Sequence, residues 1–130
     1  MKYLIKKILQ GFVFGLYNSF VTFIPVFLIR HAYLTTILRI KIGKKSSIGI
    51  GCFITGNKIT IGNNSVINRY CVLDGRGGGE IGNNVSISPN VSILSLTHDK
   101  DDPEFCAVPK PVIVNDYVWV GYQALILPGI

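Results

Sequence analysis

A six-residue beat begins at Ile42 and runs almost to the last residue. Aliphatic side chains fall at Ile42, Ile48 and Ile54, then at Ile61, Ile67 and Leu73, then at Ile81, Ile87 and Ile93, and finally at Val114, Val120 and Ile126. Four places after many of them stands a second, usually small residue: Ser46, Cys52, Ser65, Cys71, Val85, Val91, Thr97, Val118 and Ala124. A helix repeats every 3.6 residues and a strand every 2, so neither produces this period. A short strand reset by a turn every sixth residue does. Two inward positions per hexad describe one flat face of a triangular prism, and three faces close a coil. The expected fold is all-β: a single-stranded parallel β-helix of about four coils, which bury their apolar positions only by stacking on one another.

The interruptions of the beat are informative. Spacing is six within each group of three, but seven from Ile54 to Ile61, eight from Leu73 to Ile81 and twenty-one from Ile93 to Val114. Every insertion follows the third hexad of its coil, so all three should leave from one corner and stack along one edge. Insertions in solenoids map to one face, often the binding face. The edge carrying Asp74 to Gly79, with the excursion from Asp99 to Pro111 above it, is where chemistry is expected.

At 130 residues the chain is about one domain. Eight of the thirteen Lys and Arg lie in the first 45 residues, within a net charge of +6. A basic, apolar leading segment favours an anionic membrane surface or an acidic partner over sequence-specific nucleic-acid reading. Three cysteines without a C-x-x-C pair imply neither a disulfide framework nor a zinc knuckle. Cys52 and Cys71, at inward small positions, are expected to be buried thiols.

Residues 1–39 carry no hexad and form a separate segment, with residues 40–130 as the β-helix domain. Ile8 to Ile29 is uncharged and long enough to cross a bilayer, but Pro25 would kink or end a helix there. The segment reads as one or two apolar helices that cap the open end of the solenoid or lie on a membrane surface, or as a spanning anchor. Solenoids need caps, because an open end exposes unpaired strand edges.

Ile-Gly-Asn-Asn at 61–64 and 81–84, Ser-Pro-Asn-Val at 88–91, Thr97-His98-Asp99, Val118-Trp119-Val120-Gly121 and Leu127-Pro128-Gly129 resemble the hexapeptide-repeat acyltransferases. Within that family the closest likeness is to the sugar, xenobiotic and capsular-polysaccharide O-acetyltransferases. The resemblance covers Ile42 to Ile130. It implies a left-handed coil and a homotrimer with active sites in the clefts between neighbouring prisms. It also implies an acetyl-CoA-dependent transfer to a sugar or glycan hydroxyl, as in polysaccharide biosynthesis, without metal.

His98 matches the family's catalytic base, and an imidazole near neutral pH can accept a proton from an alcohol. Asn68 matches the asparagine placed near the acceptor and the transferring carbonyl, although an asparagine also serves as an ordinary turn residue. Trp119, at an outward position, matches the residue that lines the site where the excursion folds back. Gly121 and Tyr122 match the stretch beside the pantetheine arm. From their positions, Asp99 could orient the base and Arg76 could bind an anionic substrate group. Family members run past Leu-Pro-Gly-Ile with further coils, so the chain is expected to be truncated at its C-terminus, and a non-catalytic scaffold or binding module is the alternative function. The expected location is the cytoplasm, or the inner face of the membrane if residues 1–29 associate with it.

Overall fold

In the computed structural model, which describes residues 1–130, the beat becomes three flat parallel sheets of four strands each. Face A stacks β1 (Lys41–Ile42), β4 (Ile59–Ile61), β7 (Gly79–Ile81) and β12 (Val112–Val114). Face B stacks β2 (Ser47–Ile48), β5 (Val66–Ile67), β8 (Ser86–Ile87) and β13 (Trp119–Val120). Face C stacks β3 (Phe53–Thr55), β6 (Val72–Asp74), β9 (Ser92–Ile93) and β14 (Leu125–Ile126). Four coils of a parallel β-helix result, an arrangement that fits the left-handed form.

Each aliphatic of the beat sits directly over its counterpart one coil away, as Ile48 over Ile67 and Ile67 over Ile87. Ile54, Ile67 and Ile87 are wholly buried, with Val120 8% exposed. Ile42 and Ile126, at the two ends of the stack, are half-buried. Cys52 and Cys71 are buried as expected. The beat fails at Thr97, which is only half-buried in an outlying strand. The small residue that goes inside after Ile93 is Ser95, because the chain leaves the coil two residues earlier than the period implies.

The corners explain the asparagines. At the A–B corner Lys45, Asn64, Asn84 and Tyr117 all take left-handed backbone, with φ between 55° and 60°, a conformation that asparagine tolerates better than most residues. Asn63 and Asn83 do something else. Their side-chain oxygens accept the N–H groups of Lys44 and Asn63 one coil away, at 2.8 and 2.7 Å, and Asp116 does the same for Asn83 at 2.7 Å. The polar inward serines are satisfied likewise: the Ser65 hydroxyl donates to the Gly82 carbonyl at 2.7 Å and accepts from the Val85 N–H at 3.0 Å.

Helices α1 (Lys2–Ser19) and α2 (Phe27–Ala32) lie before the first coil. Tyr17, Val21, Leu34 and Leu38 join the solenoid's core. The Asn18 amide meets the free edge of β3 with both atoms, donating to the Ile54 carbonyl at 2.8 Å and accepting from its N–H at 2.9 Å. The Thr22 hydroxyl donates to the Cys52 carbonyl at 2.8 Å. No helix is long and apolar enough to cross a membrane. The uncharged run divides instead, with α1 ending at Ser19 and Pro25 standing before α2.

Candidate active site

All three insertions leave between face C and face A. The longest opens as an antiparallel hairpin, β10 (Leu96–His98) with β11 (Ala107–Pro109), pairing His98 with Ala107. Carboxylates shape its tip. Asp99 accepts the Asp101 N–H at 2.9 Å, and Asp102 accepts those of Glu104 and Cys106 at 3.0 and 3.2 Å. The Glu104 N–H, with help from Cys106, holds the Asp102 carboxyl below the usual range, and Asp102 in turn pushes the exposed Cys106 thiol up. Phe105 turns through left-handed backbone at φ 48° and brings its carbonyl toward His98.

His98 is exposed, with Nδ1 2.7 Å from the Phe105 carbonyl oxygen and its ring stacked on that of Phe105, centroids 4.5 Å apart and planes 6° from parallel. A carbonyl oxygen can only accept, so Nδ1 carries the proton. In the neutral ring Nε2 then keeps its lone pair. An open cleft of about 390 Å³ beside it is lined by Thr97, His98, Asp99, Lys100 and Lys110 among others.

The foundation of this edge is a buried carboxylate that the period does not reveal. Asp74, with its side chain 2% exposed, accepts from Arg76 Nε at 2.8 Å and Nη2 at 3.1 Å, from the Thr55 hydroxyl at 3.1 Å and from the Ser95 N–H at 3.1 Å. Burial alone would raise its pKa. The Arg76 side chain and the N–H groups of Arg76 and Ser95 outweigh burial and bring it down to about 2. Ser95 completes the joint, donating to the Asp74 carbonyl at 2.7 Å and accepting the Gly77 N–H at 2.8 Å. Arg76 is thus committed to Asp74 by two of its nitrogens. Asp74 follows its inward leucine directly and precedes Gly-Arg-Gly, which is the sequence signal that could have exposed it.

Asn68 lies elsewhere, at the corner between faces B and C. Its side-chain amide donates to the Ile87 carbonyl at 2.8 Å. It does not supply the corner's left-handed backbone, a task that falls to Tyr70 at φ 58°. One and two coils on, the same corner gathers Ser88, Trp119, Gly121 and Tyr122. Trp119 is 76% exposed and its indole N–H donates to the Ser88 hydroxyl at 3.0 Å. Tyr122 accepts from the Asn90 amide at 3.0 Å. Gly121 shares a register with Gly49. A Cβ on Gly49 would lie 2.7 Å from the Arg69 nitrogen of the next coil, so that position admits no side chain where coils stack. The candidates therefore form two groups: His98, Asp99 and Arg76 on the loop edge, and Asn68, Trp119, Gly121 and Tyr122 at the B–C corner. Trp119 is not beside the hairpin of its own chain.

No family model matches the chain. Over 79 residues it is 35% identical to nodulation protein L of Rhizobium meliloti, covering 58% of this chain and 43% of that protein. Over 94 residues it is 31% identical to nodulation protein L of Rhizobium leguminosarum, covering 65% and 50%. The chain thus spans half or less of the length of these curated relatives. Among solved structures, a hexapeptide-repeat acetyltransferase from Vibrio cholerae superposes with a TM-score of 0.73 at 22% identity, covering 92% of this chain and 69% of that one. A maltose O-acetyltransferase from Clostridium difficile gives 0.73 at 24%, covering 92% and 65%. The Vibrio protein has also been solved with acetyl coenzyme A.

Proposed function

We propose that this chain, whose fold is that of the hexapeptide-repeat acetyltransferases, transfers an acetyl group from acetyl-CoA to a hydroxyl of a sugar or glycan. The observation that carries the reading is the tautomer imposed on His98. With Nδ1–H held by the Phe105 carbonyl, Nε2 keeps its lone pair free to take a proton, and His98 lines the open cleft. The acceptor oxygen gives its proton to Nε2 and forms a bond to the thioester carbonyl carbon. The carbon–sulfur bond then breaks, and the departing thiolate recovers the proton from the imidazolium. Products are an acetyl ester and free CoA thiol.

Orientation of the base belongs to Phe105 in this scheme, since Nδ1 is already engaged and Asp99 is turned to the hairpin tip. Asn68 would steady the acceptor and the carbonyl, with Trp119, Gly121 and Tyr122 beside the pantetheine arm. Arg76 holds the loop and keeps one nitrogen for an anionic group. Residues 40–130 form the catalytic unit in this reading, residues 1–39 its cap, and a homotrimer completes each site by setting the loop edge of one subunit against the B–C corner of the next. The setting in this reading is the cytoplasm, or the inner face of the membrane if residues 1–29 associate with it.

The test is thiol release from acetyl-CoA across a panel of sugars. His98→Ala should lower kcat by roughly 10²- to 10⁴-fold with an unchanged melting curve. Parent-like turnover in that variant removes His98 from the role. A parent that neither binds nor cleaves acetyl-CoA makes the chain a scaffold.

A further inference from the structure

The largest feature that this chemistry leaves unused is the outer face of α1. Its C-terminal half turns Val13, Phe14 and Tyr17 toward the solenoid core. Helical spacing carries that inner face back through Gln10 and Tyr3, with Lys6 and Lys7 at its two margins. Lys7, Gln10 and Phe14 indeed line a cleft against Thr55, Gly56 and Asn57. The opposite face is a continuous apolar stripe of Leu4, Ile5, Ile8, Leu9 and Phe12, each 55–65% exposed. Lys2 and Lys6 border one side of the stripe and Lys7 the other. Soluble surfaces rarely carry a contiguous apolar patch of this kind without a partner.

Charge identifies the partner. Ten basic side chains and no acidic one precede Asp74, whereas from Asp74 onward there are three basic and seven acidic. We infer that α1 lies in the interfacial plane of an anionic bilayer, with the stripe among the acyl chains and the flanking lysines at the headgroups. An amphipathic helix with cationic flanks binds lipid in this way without spanning it. A second copy of the chain is a poorer occupant, because it would bring the same lysines to a surface with no carboxylate to meet them. The solenoid then stands with its first coil toward the lipid. This inference concerns α1 alone and does not depend on the transfer reaction.

The test is co-sedimentation of the full chain with phosphatidylcholine vesicles and with vesicles containing about one-third phosphatidylglycerol, in the absence of acetyl-CoA. The parent should bind the anionic vesicles at least roughly tenfold more tightly, and binding should weaken as salt rises from about 0.1 to about 0.5 M. Ile8→Ser with Phe12→Ser should abolish sedimentation, while leaving the melting curve and the oligomer size by light scattering unchanged. Lys2→Glu with Lys6→Glu and Lys7→Glu should remove the preference for anionic lipid. A parent that stays in the supernatant with both vesicles overturns the inference. So does a stripe variant that binds like the parent, or one whose oligomer falls apart, which would make the stripe a contact between copies.

Discussion

The loop edge and the B–C corner both carry candidate chemistry, and they are built in opposite ways. The loop edge is made of insertions, and rests on a buried charge: Asp74, Arg76 and Ser95 tie the hairpin base to the coil below. The B–C corner has no insertion. Its turns close with one left-handed residue per coil, at Gly51, Tyr70, Asn90 and Gln123. An edge of the first kind can lift a histidine off the prism and fix its tautomer. A corner of the second kind can only present side chains and backbone in register, as at Asn68, Trp119 and Gly121. One is suited to proton transfer and the other to lining a long, extended substrate. A convex prism keeps the two apart, so under the proposed reaction a complete site would need a concave surface from a neighbour.

The shared support of both regions is the stacked core, and breaking it has the largest expected effect. Ile87→Asp would put a charge in a wholly buried position between coils. The cost should be about 4 kcal/mol or more, enough to remove cooperative melting in circular dichroism. A variant that melts like the parent would mean that face B does not need Ile87 inside.

The comparison itself is put at risk by mixing inactive subunits. His98→Ala and Asn68→Ala chains, each nearly dead alone, should regain activity when refolded together. If each cleft draws His98 from one subunit and Asn68 from the next, random equimolar mixing restores both groups in about one cleft in four. Recovery near that level, measured as thiol release from verified mixed oligomers, supports a shared site. No recovery puts both residues in one subunit's site, or leaves Asn68 as a ladder residue bonded to Ile87.

The loop edge should also betray its buried charge in acid. Asp74 has a folded pKa of about 2 against an ordinary value near about 3.9. Its contribution is therefore fully present above about pH 4 and is lost as pH falls toward about 2. Asp74→Asn should cost about 2 kcal/mol at neutral pH, discounted because Arg76 can turn to water. The difference between parent and variant should shrink across that acid window in urea melts. A constant difference down to about pH 2 would mean that the carboxylate's charge is not what holds the joint.

How much of this was legible in the sequence follows from what a period can encode. Hexads report which side chains face inward, so the three faces, their register and the common corner of the insertions could be read from aliphatic positions alone. They also placed Cys52 and Cys71. They could not report polar partners across coils, because those depend on which residues stack. Hence the period marks Asp74 only as the start of a loop, points to Thr97 where Ser95 goes inside, and leaves Arg76 open to an anionic group although it is bound to Asp74. His98 is legible through the family resemblance that Thr97-His98-Asp99 carries ahead of the long excursion. The group that orients it is not, since Asp99 is adjacent in sequence while Phe105 reaches the ring only after the hairpin closes.

Phe105 gives the smallest and finest test of that edge. Two separate features of the residue touch His98: its carbonyl, which fixes the Nδ1 proton, and its ring, which stacks on the imidazole at 4.5 Å. Phe105→Ala removes the ring and keeps the carbonyl, so the tautomer survives and only the restraint on ring orientation is lost. An aromatic pair contributes about 0.5–1.5 kcal/mol beyond its burial, which corresponds to a fall in kcat of roughly 2- to 12-fold. Phe105 is 58% exposed, so the melting temperature should not move. Phe105→Tyr keeps the stack and should restore the rate. A loss as large as that of His98→Ala would show that the hairpin tip collapses without the ring, and an unchanged rate would leave the carbonyl alone as the orienting group.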